Sequence, residues 1–258
     1  MRRPLCVRFP RLVLMLLWWV FPCFASAEVS RVDLSGEINK EFYFEVELAI
    51  RTHVEEIHIE SSGGDNVWAL QAANALNNQD LTQLVVVGKC VSACASLAFA
   101  TDNLRITEGA FIAVHRTSLG MKYVLSAGEF DLGEERFEAL NFYAAEESRL
   151  LQQAGRTAAF FEQAMREIRP VCYGRLITTD SGLVAGYLSR AEAHYWMPDE
   201  DVFNHYRGID VSGDWPDSGD LFSNKEAFEF IEKYRVVRTA SVDELNRAPI
   251  ETFGECQK

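Results

Sequence analysis

Val54-Glu55-Glu56-Ile57-His58-Ile59-Glu60 runs into Ser61-Ser62-Gly63-Gly64-Asp65, and this stretch decides the class of fold. In the first seven residues Ile57 and Ile59 alternate with His58 and Glu60, which predicts a strand. The Ser-Ser-Gly-Gly sequence predicts the turn that ends it, and Asp65 is placed to cap a helix reaching about Asn77, with Val67, Leu70 and Ala73 along one face. A strand followed directly by a helix is the building block of α/β folds.

Working outward, the same alternation recurs on both sides. Upstream, Val32-Asp33-Leu34 reads as a strand, and Lys40 to His53 as a helix with Phe42, Val46, Leu48 and Ala49 facing inward. Downstream, Leu84 to Val87 reads as a buried strand ended by Gly88, and a small-residue helix starts near Ser92 and runs to Ala100. Arg105 to Thr107 and Ala110 to Val114 follow as short strands, the second of which delivers His115. Helices are expected over Glu129 to Gln153 and from Gly155 to about Ile168, with one more starting at Ser189 to Ala193. Residues 208–224 are rich in Gly, Asp and Ser, a loop signature, and precede a last helix from Lys225 to Tyr234 and a polar tail.

The N-terminus reads differently. Arg2, Arg3, Arg8 and Arg11 precede the apolar run Leu12 to Ala25, which is broken by Pro22 and ends in Ala25-Ser26-Ala27. That is a secretory signal pattern, shorter than the roughly 20 residues a spanning helix needs. Cleavage is expected after Ala27, leaving no stable membrane span. The domains are then a signal peptide (1–27), an α/β domain (28–207) and a C-terminal loop, helix and tail (208–258), and the protein is expected to be periplasmic or secreted. Loss of the four arginines takes the formal charge from −13 to −17. So acidic a chain lacks the basic footprint of a nucleic-acid binder.

Of six cysteines, Cys90, Cys94, Cys172 and Cys256 remain after cleavage. In an oxidising compartment they pair in any of three ways, and spacing does not choose. A metal at Cys90 and Cys94 competes, but no nearby His or Cys pair completes a zinc set, so no metal is expected. Their three-residue spacer also differs from the redox Cys-x-x-Cys.

A Gly-Gly turn, a serine opening a helix and a histidine closing a strand suit acyl transfer, which needs a nucleophile, a base and backbone donors for an oxyanion. The blocks Ile59-Glu60-Ser61-Ser62-Gly63-Gly64, Cys90-Val91-Ser92-Ala93-Cys94 and Phe111-Ile112-Ala113-Val114-His115 resemble, in order and spacing, those of the Clp protease proteolytic-subunit (ClpP) family, over about residues 30 to 198. More narrowly, the chain is similar to exported relatives with a Cys-x-Ser-Ala-Cys block. The resemblance implies the ββα superhelix shared with crotonases and signal peptide peptidase A, here with a short C-terminal extension. It implies Ser92 as nucleophile, His115 as base and the Gly64 and Ala93 amides as oxyanion donors, with no cofactor. It also implies homo-oligomeric assembly and a peptide or protein substrate.

Ser96 is the rival nucleophile, but choosing it lengthens the gap from Gly64 and shortens the gap to His115; it has the alternative of bonding the preceding turn. Ser92 has its own bland reading as a helix cap, and His115 as a half-buried strand end. His53, His58, His194 and His205 join no such constellation, and alternation with isoleucines puts His58 on a solvent face. The third triad member departs from the family pattern: the matching positions are about Ala185 and Gly186, and Asp180 lies five residues earlier. Asp180 either orients the imidazole or caps a turn, and a Ser-His dyad is the alternative.

Arg105 and Arg116 are candidates for binding a substrate carboxylate, with surface ion pairing as the competing role. Phe137, Phe142, Phe160 and Phe161 read as core or subunit interface. The leading function is thus an exported serine hydrolase of the peptidase class. The alternatives are a catalytically degenerate binding scaffold and a crotonase-like acyl-thioester enzyme, the latter poorly matched to a compartment with little coenzyme A.

Overall fold

Parallel strands must be joined by crossovers, and a helix is the usual crossover. The computed structural model, which describes residues 30–79, 81–126, 133–168, 171–179, 182–190, 193–216 and 224–239, is built this way. β1 (Arg31–Ile38), α1 (Lys40–Arg51), β2 (Glu56–Gly64), α2 (Asn66–Asn77), β3 (Gln83–Val91) and α3 (Ala93–Ala100) alternate strictly. Then come β4 (Leu104–Ile106), β5 (Phe111–Ala113), α4 (Ser118–Ser126), α5 (Glu134–Gln153) and α6 (Ala159–Ile168). An antiparallel hairpin of β6 (Val171–Thr179) and β7 (Gly182–Arg190) precedes β8 (Tyr195–Pro198), α7 (Glu200–Arg207), β9 (Ser212–Gly213), α8 (Lys225–Lys233) and β10 (Val236–Thr239).

The main sheet has six strands in the order β1-β2-β3-β4-β9, with β5 also on β3, and each of these pairings is parallel. The α/β class read from the sequence is the class observed. β3 is the strand on which the site depends, because its first half pairs with β4 and its last three residues pair with β5. Gly88 therefore does not end the strand. It stands where the partner changes, and a Cβ there would meet the Glu60 side chain at 2.8 Å.

α3 has all eight residues buried, as expected of a helix apolar all round. Phe99 stacks on Phe160 at 4.2 Å and meets Phe161 and Phe203 edge-on. Trp196 packs against Phe160, and its indole N–H donates to the Thr239 hydroxyl at 2.9 Å. Trp215 packs on Phe203. A second, smaller cluster gathers Val91, Phe111, Ala113, Met197 and Ala227, so α8 packs behind the strand ends that lead to Ser92 and His115.

Several local expectations are corrected. Leu48 is 61% exposed, since it sits two residues from buried Val46 and so on another side of α1. His58 is not solvent-facing: it hydrogen-bonds Glu56 at 2.7 Å beside Asp33, with its side chain 14% exposed. The long helix begins at Glu134, and α4, α7 and the strands β6 to β10 are not among the elements that the sequence pattern predicts. Ser189 and Arg190 end β7 and start no helix. Phe160 and Phe161 are core, whereas Phe137 and Phe142 are exposed. Residues 1–27 and 240–258, with Cys256, Asp180 and the start of the expected helix at Glu129, lie outside the described residues. Among the described residues no helix is long and apolar enough to cross a membrane.

Candidate active site

Side chains at the carboxyl ends of neighbouring parallel strands converge on one crevice, the usual ligand position in open α/β sheets. Here β2 ends at Gly64, β3 leads to Ser92 and β5 leads to His115. Register holds the three together: Cys90 pairs with Ser61 on one side and Ile112 on the other, and the Ser92 N–H donates to the Ala113 carbonyl at 2.9 Å.

The His115 Nε2 lies 2.5 Å from the Ser92 Oγ. Burial, and then the positive charge of Arg116, hold the His115 pKa below the usual histidine value. The imidazole is therefore neutral at neutral pH, with Nε2 able to accept the serine proton. Among the described residues no group hydrogen-bonds the His115 Nδ1; Asp180, assigned to it from the sequence, lies outside them. Cys172 lies on β6.

Ser92 does not act as a cap. It precedes α3 in the cap position, but its side chain makes no capping bond and its backbone has φ 60° and ψ −122°. A serine at positive φ costs on the order of 1–3 kcal/mol, and the missing cap about 1 kcal/mol more. This sharp strand-to-helix turn is how nucleophile elbows present a hydroxyl. Gly63 makes it possible: a Cβ there would lie 2.5 Å from the Ser92 Cβ, and Gly63 itself has φ 109°. A Cβ on Gly64 would run into the Ile38 carbonyl.

Gly64, Ser92 and His115 line one cleft of about 280 Å³. Ala93 is the first residue of α3, where backbone N–H groups have no intrahelical acceptor. Ser96 is buried in the core with an unpartnered hydroxyl, away from the cleft. A larger hollow of about 570 Å³ between α4, α5 and α6 holds no serine–histidine contact.

Two cleft residues were missed. Glu147, on α5, is 2% exposed and accepts the Leu119 N–H at 3.0 Å; burial pushes its carboxyl above the usual range. Its signal was available, because it interrupts the buried stripe Ala144, Leu150 and Leu151. Asn66, the first residue of α2, stands beside it with both amide atoms buried and without a hydrogen bond of normal geometry. Nothing in its sequence context marked it.

Arg105 is engaged by Glu56 at 2.8 Å and by Gln83, the surface ion pairing that competed with a binding role, and Arg116 lies on the cleft wall. Cys90 and Cys94 are joined in a disulfide, which removes them as metal thiolates. Among the described residues no three of His, Cys, Asp and Glu gather as a metal site.

No protein-family model matches the chain, nor does any curated protein sequence. Among solved structures it is similar to a ClpP1 mutant from Listeria monocytogenes, at 14% identity and a TM-score of 0.41, covering 72% of this chain and 92% of that one. It is also similar to ClpP1 from the same organism, at 19% identity and a TM-score of 0.30, covering 49% and 79% respectively. Likenesses this distant carry no functional weight, and function is argued from the Ser92–His115 pair and its surroundings.

Proposed function

We propose that the chain is an exported serine hydrolase of the peptidase class. Ser92 attacks the substrate carbonyl while His115 takes its proton, and the acyl-enzyme is resolved by water that His115 activates in turn. The Gly64 and Ala93 amides receive the oxyanion, and the imidazole works either with Asp180 in a triad or with Ser92 alone as a dyad. No cofactor is needed. The carrying observation is the 2.5 Å Ser92–His115 contact made by a serine that forgoes its capping bond. The disulfide supports export, since such bridges persist in oxidising compartments. Homo-oligomeric assembly and a short or unfolded peptide substrate complete the proposal.

The test is reaction of the purified protein with a fluorophosphonate, with the modified residue mapped by mass spectrometry. Label is expected on Ser92, to vanish in Ser92→Ala, and to slow by about 10²-fold or more in His115→Ala. A folded protein that takes no label makes the fold a binding scaffold instead, and label on another residue overturns Ser92 as the nucleophile.

A further inference from the structure

The disulfide encloses the serine. Cys90 and Cys94 lie two residues before and two after Ser92, both are fully buried, and their Cα atoms are 5.0 Å apart. Cys90 is fixed in the sheet by its pairing with β2 and β5, and Cys94 lies in the first turn of α3. A bridge closing so short a loop removes the least entropy from the unfolded chain, so its position answers a local need. The need is visible at Ser92, whose positive φ and unmade cap are both unfavourable. Relaxing Ser92 to the extended backbone of an ordinary cap straightens the chain between the two cysteines. With Ala93 and Cys94 still in the first turn of α3, a straighter path at Ser92 carries the two Cα atoms beyond the 5.0 Å observed, and a disulfide does not tolerate separations of more than about 7 Å.

We propose that the Cys90–Cys94 disulfide is the positioning device of the site: it excludes the relaxed backbone at Ser92 and so holds the hydroxyl on His115. This rests on Ser92 as the nucleophile. With the bridge open, Ser92 turns to the cap conformation and its Oγ accepts a backbone N–H of the first turn of α3. Closure joins the two Sγ atoms and passes two electrons and two protons to a disulfide-bearing oxidant. Dithiothreitol returns them and becomes its own cyclic disulfide. The hydrolase therefore gains activity on oxidation and is slower as the dithiol.

The experiment compares wild type with Cys90→Val/Cys94→Ala well below the melting temperature of both. Two readouts are taken: the fluorophosphonate inactivation constants, and the His115 ring nitrogen resonances. The limiting rate is expected to fall about tenfold or more with the half-saturating probe concentration unchanged, since a small misplacement of a nucleophile is costly. The Nε2 resonance is expected to move to its position in Ser92→Ala. A merely stabilising bridge lowers the melting temperature and leaves both readouts unchanged, which would overturn the proposal. If the double variant does not fold, wild type reduced by dithiothreitol until mass spectrometry shows two free thiols gives the same comparison. If wild-type Ser92 does not react at all, the nucleophile assignment fails. The ring resonance then decides alone, and an identical resonance with and without the bridge overturns the positioning role.

Discussion

At the scale of single residues, the site is a set of unfavourable local choices that make sense only together. Ser92 sits at positive φ, Gly63 leaves no room for a side chain beside it, and His115 is half-buried next to a cation. The last has a pH consequence. Because the folded His115 pKa is depressed, the unfolded chain binds its proton first as pH falls below about 6.5, so this residue subtracts stability on the acid side. Neutral imidazole, the form that accepts a proton from Ser92, persists to lower pH than in a free histidine. The rate of fluorophosphonate labelling is therefore expected to rise with pH with a midpoint below about 6.5. A midpoint above that value would show that His115 is not the base. The chemical residue types were legible in the sequence because Gly-Gly, Ser and His each close a strand. The strain at Ser92 was not, because φ depends on what β5 and Gly63 impose from elsewhere in the chain.

At the scale of elements, α3 is held at both ends. Its N-terminus carries the elbow, and its C-terminal carbonyls face two buried guanidiniums: Arg156 and Arg207 both donate to the Phe99 carbonyl, at 3.2 and 3.3 Å. Arg207 also reaches the carbonyls of Thr101 and Asp102, and Arg156 pairs with the Asp102 carboxylate at 2.5 Å. Cations at a helix C-terminus complement its dipole. Burial, with Arg156 alongside, pulls the Arg207 pKa down to about 10, and Asp102 only partly opposes this. Arg156→Met or Arg207→Met alone is expected to lower stability by about 2–4 kcal/mol by leaving buried carbonyls unpaired. Because the two share one acceptor, the Phe99 carbonyl loses its last guanidinium partner only in the double variant, which should cost more than the sum, by at least about 0.5 kcal/mol in chemical denaturation. Strict additivity would mean the arginines act independently. Helices α1 and α2 were readable because their caps and apolar spacings are local, and α3 because it is a run of small and apolar residues. The span of β3, and the strands β8 and β10, were not, since a three- or four-residue strand is defined by its partner and not by its own pattern.

At the scale of the molecule, the C-terminal residues are joined to the site's foundations. Lys89 binds Glu226 at 2.8 Å, Asn224 donates to the Gly109 carbonyl at 2.6 Å, and Phe230 packs on Phe111. Removing residues 224–258 uncovers Val91, Phe111, Ala113 and Met197 and breaks the pairing of β10 with β8. The shortened protein is expected to melt at least about 5 °C lower and to lose Ser92 labelling well before it melts. Unchanged melting and labelling would show that the segment is an ornament.

The all-parallel pairing of the main sheet also has a bearing on biogenesis. No two of its strands form a hairpin, so no neighbouring pair can zip together as the chain emerges, and β2 waits for β3 while β3 waits for both β4 and β5. Contacts so distant in sequence form late and slowly. A chain emerging N-terminus first therefore exposes the isoleucines of β2 and the valines of β3 for as long as it takes the next roughly twenty to thirty residues to arrive. Until those partners arrive, the apolar strand residues are open to pairing with other chains, so slow synthesis or high concentration favours aggregation over folding.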